Sequence, residues 1–198
     1  MKTVYLDNNA TTMAAPEVVS AMEPFWSSRY GNASSAYTFG GKVRDEVEEA
    51  RAKVARLLGA QDEEIIFTSG GSEADNMAIR GAVEALEGQK RHIVTTRVEH
   101  PAVLTVFRYL KKQGYLLTEL GVDANGGLDM GELERVVTRE TAIVSVMWAN
   151  NETGVIFPIE KIGEKKGPPS PPPDGDTHLD LARASLRELV DDCRIPPE

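Results

Sequence analysis

Four short stretches of this sequence concentrate side chains and backbone able to bind or react. The first is SGGSEADN, residues 69–76, which follows a strand-like IIFT and leads into an apolar-periodic segment. Glycines between a strand and a helix let the backbone turn sharply and leave N–H groups pointing outward. The first-turn N–H groups of the helix then favour a phosphate or another anion. Gly71 and Ser72 are the residues placed against such a group. No lysine follows as in a P-loop, and the spacing is not GxGxxG, so neither nucleotide fingerprint is present. The same residues could also form an ordinary turn. The second feature is His100, immediately before Pro101, where a strand hands over to a helix. Ligands of open α/β sheets sit at that edge. A neutral imidazole there could stack on a planar ring or move a proton, or it could simply cap the helix.

The third stretch is WANNETG, residues 148–154, which delivers Asn150, Asn151, Glu152 and Thr153 at one spot after a very apolar run. Either asparagine could hydrogen-bond a ligand oxygen. Both could instead satisfy their own turn's backbone. The fourth, DNNATT at residues 7–12, poses the same choice for Asn8, Asn9 and Thr11. A metal centre is not expected. The histidines, His92, His100 and His178, and the single cysteine, Cys193, do not fall at ligand spacing. Cys193 lies between Asp192 and Arg194, close to Asp191, and acidic neighbours disfavour a thiolate, so it reads as a bystander.

The elements that must position these groups follow from periodicity. Residues 3–7, 65–68, 92–96, 115–120 and 141–148 read as strands. The last, TAIVSVMW, is nearly unbroken apolar sequence, as expected of a strand buried on both faces. Helices are expected from Pro16 to about Glu23, with Pro24 stopping it, and over 42–58, 101–112 and 129–137. A further helix, capped by Ser69 or Ser72, should run to about Leu86. In the 42–58 helix, Val43, Val47, Ala50, Val54 and Leu57 form one stripe, and Gly59 should be its C-cap. Residues 30–41 read as a functional loop and 123–128 as a turn. Strands alternating with amphipathic helices predict an α/β fold: a mostly parallel sheet with helices on both faces.

After about residue 160 the pattern changes. GPPSPPPD, residues 167–174, cannot be a central strand or a helix, because proline removes backbone donors and fixes φ. LARASLRELV, residues 181–190, could form a short helix that needs something to pack against. Residues 1–166 therefore read as one domain, and 167–198 as a Pro-rich, divergent or poorly ordered tail.

Composition bounds the rest. In 198 residues, 22 Lys+Arg face 31 Asp+Glu, a net charge of -9, which argues against a nucleic-acid partner. No apolar run approaches the length of a membrane span, and MKTVYLDNNATT has neither the core nor the cleavage site of a signal peptide. One cysteine allows no intrachain disulfide. A cytoplasmic location and no membrane partner are the expectation.

YLDNNATT (5–12), YGNASSAYTFG (30–40), IIFTSGGSEADNMAI (65–79), VEHPAV (98–103) and VMWANNETG (146–154) together resemble the class V aminotransferases. They are most similar to the cysteine desulfurases of the NifS/IscS type. The resemblance implies the fold-type I architecture of pyridoxal 5'-phosphate (PLP) transferases, here a partial large domain, and a homodimer. It also implies free L-cysteine as substrate, converted to L-alanine, with sulfur passed to an iron–sulfur scaffold protein. Gly71 and Ser72 match the family's phosphate cup. His100 matches the histidine that stacks on the pyridine ring and takes part in proton transfer, and Asn151 the asparagine at the 3-hydroxyl. Asn8 to Thr11 resembles a segment that folds toward the mouth of the site.

The departures bear on activity. The family pattern HVDAVQ is echoed by HLD, residues 178–180, so Asp180 is the candidate for the residue at the ring nitrogen. Arg183 stands where the glutamine would be. No lysine follows an SxHK-like stretch, and the family's catalytic cysteine on a mobile loop has no counterpart. The expectation is a desulfurase-like PLP protein that, as this polypeptide, does not turn over. The alternatives are a non-catalytic dimerising or interaction module, or another class V member such as a selenocysteine lyase.

Overall fold

The computed structural model describes residues 4–86 and 88–164, which divide into two units, 4–66 and 67–164. The second unit holds a parallel sheet. Its strands are β1 (His92–Thr96), β2 (Leu116–Leu120) and β3 (Thr141–Ser145), in the order β2-β1-β3. Around them lie α3 (Gly71–Glu84), α4 (Pro101–Lys112), α5 (Met130–Val136) and α6 (Ile159–Glu164), while α1 (Pro16–Met22) and α2 (Thr38–Leu58) belong to the first unit.

Successive side chains of a strand point to opposite faces, and β1 uses both. Ile93 packs with Ile79 and Val83 of α3 and with Val103, Val106, Phe107 and Leu110 of α4. Val94 packs on the other face with Leu120 and Leu133, where Val136 of α5 and Ile162 of α6 join them. The sheet is thus flanked by helices, as the alternating pattern predicts.

Two strand expectations are corrected. The strand buried throughout is β1, whose five residues are all buried, although HIVTT is the less apolar sequence. The apolar run at 141–148 becomes a shorter strand ending at Ser145, with only Thr141 buried. Position in the sheet decides this, since β1 has a neighbour on each side and β3 only one in the described sheet. His92, at the start of β1, is buried between hydroxyls of both neighbouring strands, 2.8 Å from Thr141 Oγ1 and 2.9 Å from Thr118 Oγ1. Burial lowers its pKa. It is a satisfied core histidine.

In the first unit, α1 (Pro16–Met22) opens on proline and gives way to a 3₁₀ turn, Glu23–Trp26, at Pro24. Helix α2 (Thr38–Leu58) starts four residues earlier than its periodicity suggests and shortens the preceding loop. Gly40 permits this: a Cβ there would lie 2.5 Å from Asn32 O, so the loop closes directly on the first turn of α2. Gly59 ends α2 in the left-handed region, φ 65°, its N–H returning to Ala55 and Arg56 carbonyls. The strands expected at 3–7 and 65–68 are not formed over the described residues 4–7 and 65–68. Strand propensity becomes a strand only where a neighbouring strand shares the ladder, and the described ladder joins β1, β2 and β3. Among the described residues no helix is long and apolar enough to cross a membrane. The tail at 167–198 lies outside the described residues.

Candidate functional site

Three of the four stretches lie in the 67–164 unit, and local chemistry shapes each. Helix α3 begins at Gly71 with Gly70 as N-cap and no side-chain cap, so neither Ser69 nor Ser72 caps it as expected. The Glu73 carboxylate reaches back instead, accepting the Ser69 N–H and hydroxyl at 2.6 Å each. Those bonds hold its pKa below the usual carboxylate value. The first N–H groups of a helix have no intrahelical acceptor. At Gly70 and Gly71 an added Cβ would meet nothing within 4 Å, so the approach to them is open.

His100 is the N-cap of α4. Its Nδ1 accepts the Ala102 N–H at 3.1 Å, which orients the ring and assigns the remaining proton to Nε2. Pro101 occupies the first helical position, where its missing N–H costs nothing. His100 therefore caps the helix while its ring stays exposed beyond the C-terminal end of β1.

The two asparagines separate in role. Asn150 Oδ1 accepts the Glu152 N–H at 3.0 Å and the Thr153 N–H at 2.9 Å. Its Nδ2 donates to Val98 O at 3.1 Å. Asn150 thus builds its own turn and joins it to the loop that carries His100. Asn151, one residue on, is exposed, with Nδ2 2.9 Å from Glu152 Oε1. The DNNATT segment is also a turn, with the Ala10 N–H on Asp7 O at 3.2 Å and Thr12 Oγ1 on Asn8 O at 3.1 Å.

Glu99 was not singled out by its sequence. It is only 7% exposed. Burial, chiefly, and the nearby Asp75 raise its pKa, against the pull of the His100 N–H, the Met147 N–H and the Ser145 hydroxyl. Its position next to His100 was the only signal, and nothing local indicates that a glutamate after a strand will turn inward.

The structure thus brings His100 and the Asn150–Asn151 turn to one edge of the sheet. Asp75, in the second turn of α3, is close enough to Glu99 to act on it. Asp180, with His178 and Cys193, lies outside the described residues.

A family profile described as aminotransferase class-V matches residues 4–167. The chain belongs to the class-V aminotransferase family. Its homology is with NifS- and IscS-type cysteine desulfurases. It is 55% identical over 165 residues to a cysteine desulfurase of Trichormus azollae, an alignment covering 83% of this chain and 41% of the relative. A solved NifS-like protein superposes with a TM-score of 0.76 at 42% identity, covering 80% of this chain and 44% of that one. A solved SspA in complex with cysteine gives 0.74 at 34% identity, covering 81% and 46%. The chain spans about two-fifths of the length of the curated relatives it matches.

The family implies PLP, and the donor set of these residues fits that group. Uncapped helix N–H groups at an open approach suit a phosphate, an imidazole oriented by its own Nδ1 suits a planar heterocycle, and an exposed amide suits a phenolic oxygen. Among the described residues no group of three potential ligands could hold a metal ion.

Proposed function

We propose that residues 67–164 are the cofactor-gripping part of a cysteine-desulfurase-type PLP protein. In this reading the N–H groups of Gly71 and Ser72 take the phosphate, the His100 imidazole lies over the ring, and the Asn151 amide meets the 3-hydroxyl. The single observation that supports it is the Asn150–Val98 bond, which holds the His100 loop and the Asn151 turn together at the ligand edge of a parallel sheet. When bound, PLP supplies an electron sink for carbanion chemistry at an amino acid's Cα. The chain's own part is to bind and orient the group and to hold the His100 imidazole near that centre. Free L-cysteine is the proposed substrate class and an iron–sulfur scaffold the proposed sulfur acceptor. Asp180 is proposed for the ring nitrogen.

We propose further that the 198-residue polypeptide alone binds PLP reversibly and does not turn over cysteine, because groups that act as a unit cannot be credited singly with a share of the rate. The test is a PLP titration followed by absorbance, before and after borohydride. Saturable, dialysable binding is expected, weakened about tenfold by Ser72→Pro, which removes one N–H, and by His100→Ala, a loss of about 1.4 kcal/mol each. A folded chain with no saturable binding overturns the cofactor reading. A label fixed on one lysine overturns its reversibility. A second reading, an interaction module, is favoured by the exposed Trp26 (78%) and Leu57 (77%) of the 4–66 unit. A concentration-dependent mass in light scattering without PLP binding would select it.

A further inference from the structure

The sheet's ligand edge carries an asparagine that the cofactor contacts proposed above leave unused. Asn150 opens the tip of a narrow hairpin that follows β3, where Ala149 and Ile156 pair antiparallel. Backbone bonds close the hairpin: the Phe157 N–H on Trp148 O at 2.8 Å, the Asn150 N–H on Val155 O at 2.9 Å and the Gly154 N–H on Asn150 O at 2.8 Å. Phe157, 2% exposed, roots it in the protein, and Asn151 sits in its tip.

The two ends of the Asn150 side chain serve different segments. Its Oδ1 accepts three donors from within the tip: the Glu152 N–H at 3.0 Å, the Thr153 N–H at 2.9 Å and the Thr153 hydroxyl at 3.1 Å. Its Nδ2 donates outside the tip, to Val98 O at 3.1 Å, and also meets Met147 Sδ at 3.4 Å. The two backbone donors fix which end is which, since an N–H cannot donate to an amide NH2. Val98 lies two residues before His100, and Asn150 one residue before Asn151. Neither side chain of the same shape could replace this amide. Aspartate keeps the acceptor bonds, loses the tie and sets a carboxylate oxygen against the Val98 carbonyl; leucine makes neither set.

We propose that Asn150 is a positioning residue: one end of its amide closes the hairpin tip, the other ties that tip to the β1–α4 connection, and together they set the spacing between His100 and Asn151. The clasp itself is independent of ligand; its consequence for cofactor affinity rests on the PLP reading above.

NMR on the full 198-residue chain tests the clasp without any ligand. In Asn150→Asp the Val98 carbonyl carbon is expected to shift upfield as it loses its donor, while exchange at the Glu152 and Thr153 amides stays within about threefold of the parent. In Asn150→Ala the same carbonyl shift is expected, now with about tenfold faster exchange at both amides. The Leu117 amide of β2 should be unchanged in both, because only local bonds are lost. An unmoved Val98 carbonyl in Asn150→Asp overturns the tie, and unchanged Glu152 and Thr153 exchange in Asn150→Ala overturns the tip closure. Tip exchange as fast in Asn150→Asp as in Asn150→Ala overturns the division between the two ends. An equal rise at Leu117 marks general loosening and overturns the whole.

A double-mutant cycle on PLP affinity then separates positioning from simple support of the fold. Asn150→Ala is expected to weaken PLP about tenfold in the parent and less than about twofold in an Asn151→Ala background. Equal losses in both backgrounds overturn action through Asn151. If the parent does not bind PLP, the cofactor reading fails, and the carbonyl shift and the exchange still decide the clasp.

Discussion

The described 4–66 unit is built of helices and turns and the 67–164 unit of a parallel sheet flanked by helices, and their interiors differ as much. Helix α2 has the clearest helical period in the sequence, yet its only buried residues are Gly40 and Ala55, and Leu57 of its stripe is 77% exposed. Helix α4, barely half as long, buries Val103, Leu104, Val106, Phe107 and Leu110 against the sheet. The comparison teaches that an amphipathic stripe records a requirement for a partner. It becomes a core only where a second layer meets it. Accordingly, the stability of the described residues should reside in the sheet unit, while the 4–66 unit should be shaped mainly by caps and turns.

The largest expected break in that comparison is Phe107→Ala. Phe107 is fully buried between α4 and the sheet, and its truncation should cost about 3–5 kcal/mol in a urea melt. A loss under about 1 kcal/mol would show that the sheet unit is not the stabilising region. Next is His92→Ala, expected to cost about 2–3 kcal/mol by leaving the Thr118 and Thr141 hydroxyls without their imidazole partner. The same residue gives a signed pH effect. Its folded pKa is lowered by burial, so the unfolded chain binds the proton more readily. The stabilising contribution is complete above about pH 6.5 and is lost as the pH falls through the folded pKa. Melts at pH 7 and pH 5.5 should differ in that direction, and His92→Ala should remove this part of the difference.

Smaller effects sharpen the contrast from the other side. Gly59→Ala forces a side chain into the left-handed region and should cost the end of α2 about 1–2 kcal/mol, read as lost helicity. Leu57→Ala, two residues earlier in the same helix, should change stability by less than about 0.5 kcal/mol because its side chain is already in water. If Leu57 instead costs more than Gly59, a partner covers the stripe of α2 in solution, and the contrast between the two units narrows.

Much of this was legible locally. Pro101 and the apolar spacing after it marked α4 to the residue, and Gly59 marked the end of α2. His100 and Asn151 were legible as candidates because each follows a strand-like run. What was not legible depended on neighbours distant in sequence. TAIVSVMW is more apolar than HIVTT, yet the latter is the buried strand, because strand order places it between two others. The two asparagines of ANNETG look equivalent on paper. Only the fold shows that Asn150 spends its side chain on its own turn and on Val98, and that Asn151 is left exposed. Glu99 reads as one more acidic residue beside a histidine until its burial is known.

By itself, then, the sequence determined family membership, the alternation of strands and helices from residue 92 to 145, and end signals such as Pro101 and Gly59, since these follow from backbone sterics and from side chains a few positions apart. The tertiary structure decided which strand is central, that His92 is core and His100 exposed, and that Val98 and Asn150, 52 residues apart, are joined by a hydrogen bond. The reason is physical: burial and cross-strand bonding depend on chain segments that sequence spacing does not bring into contact, so no local pattern could state them.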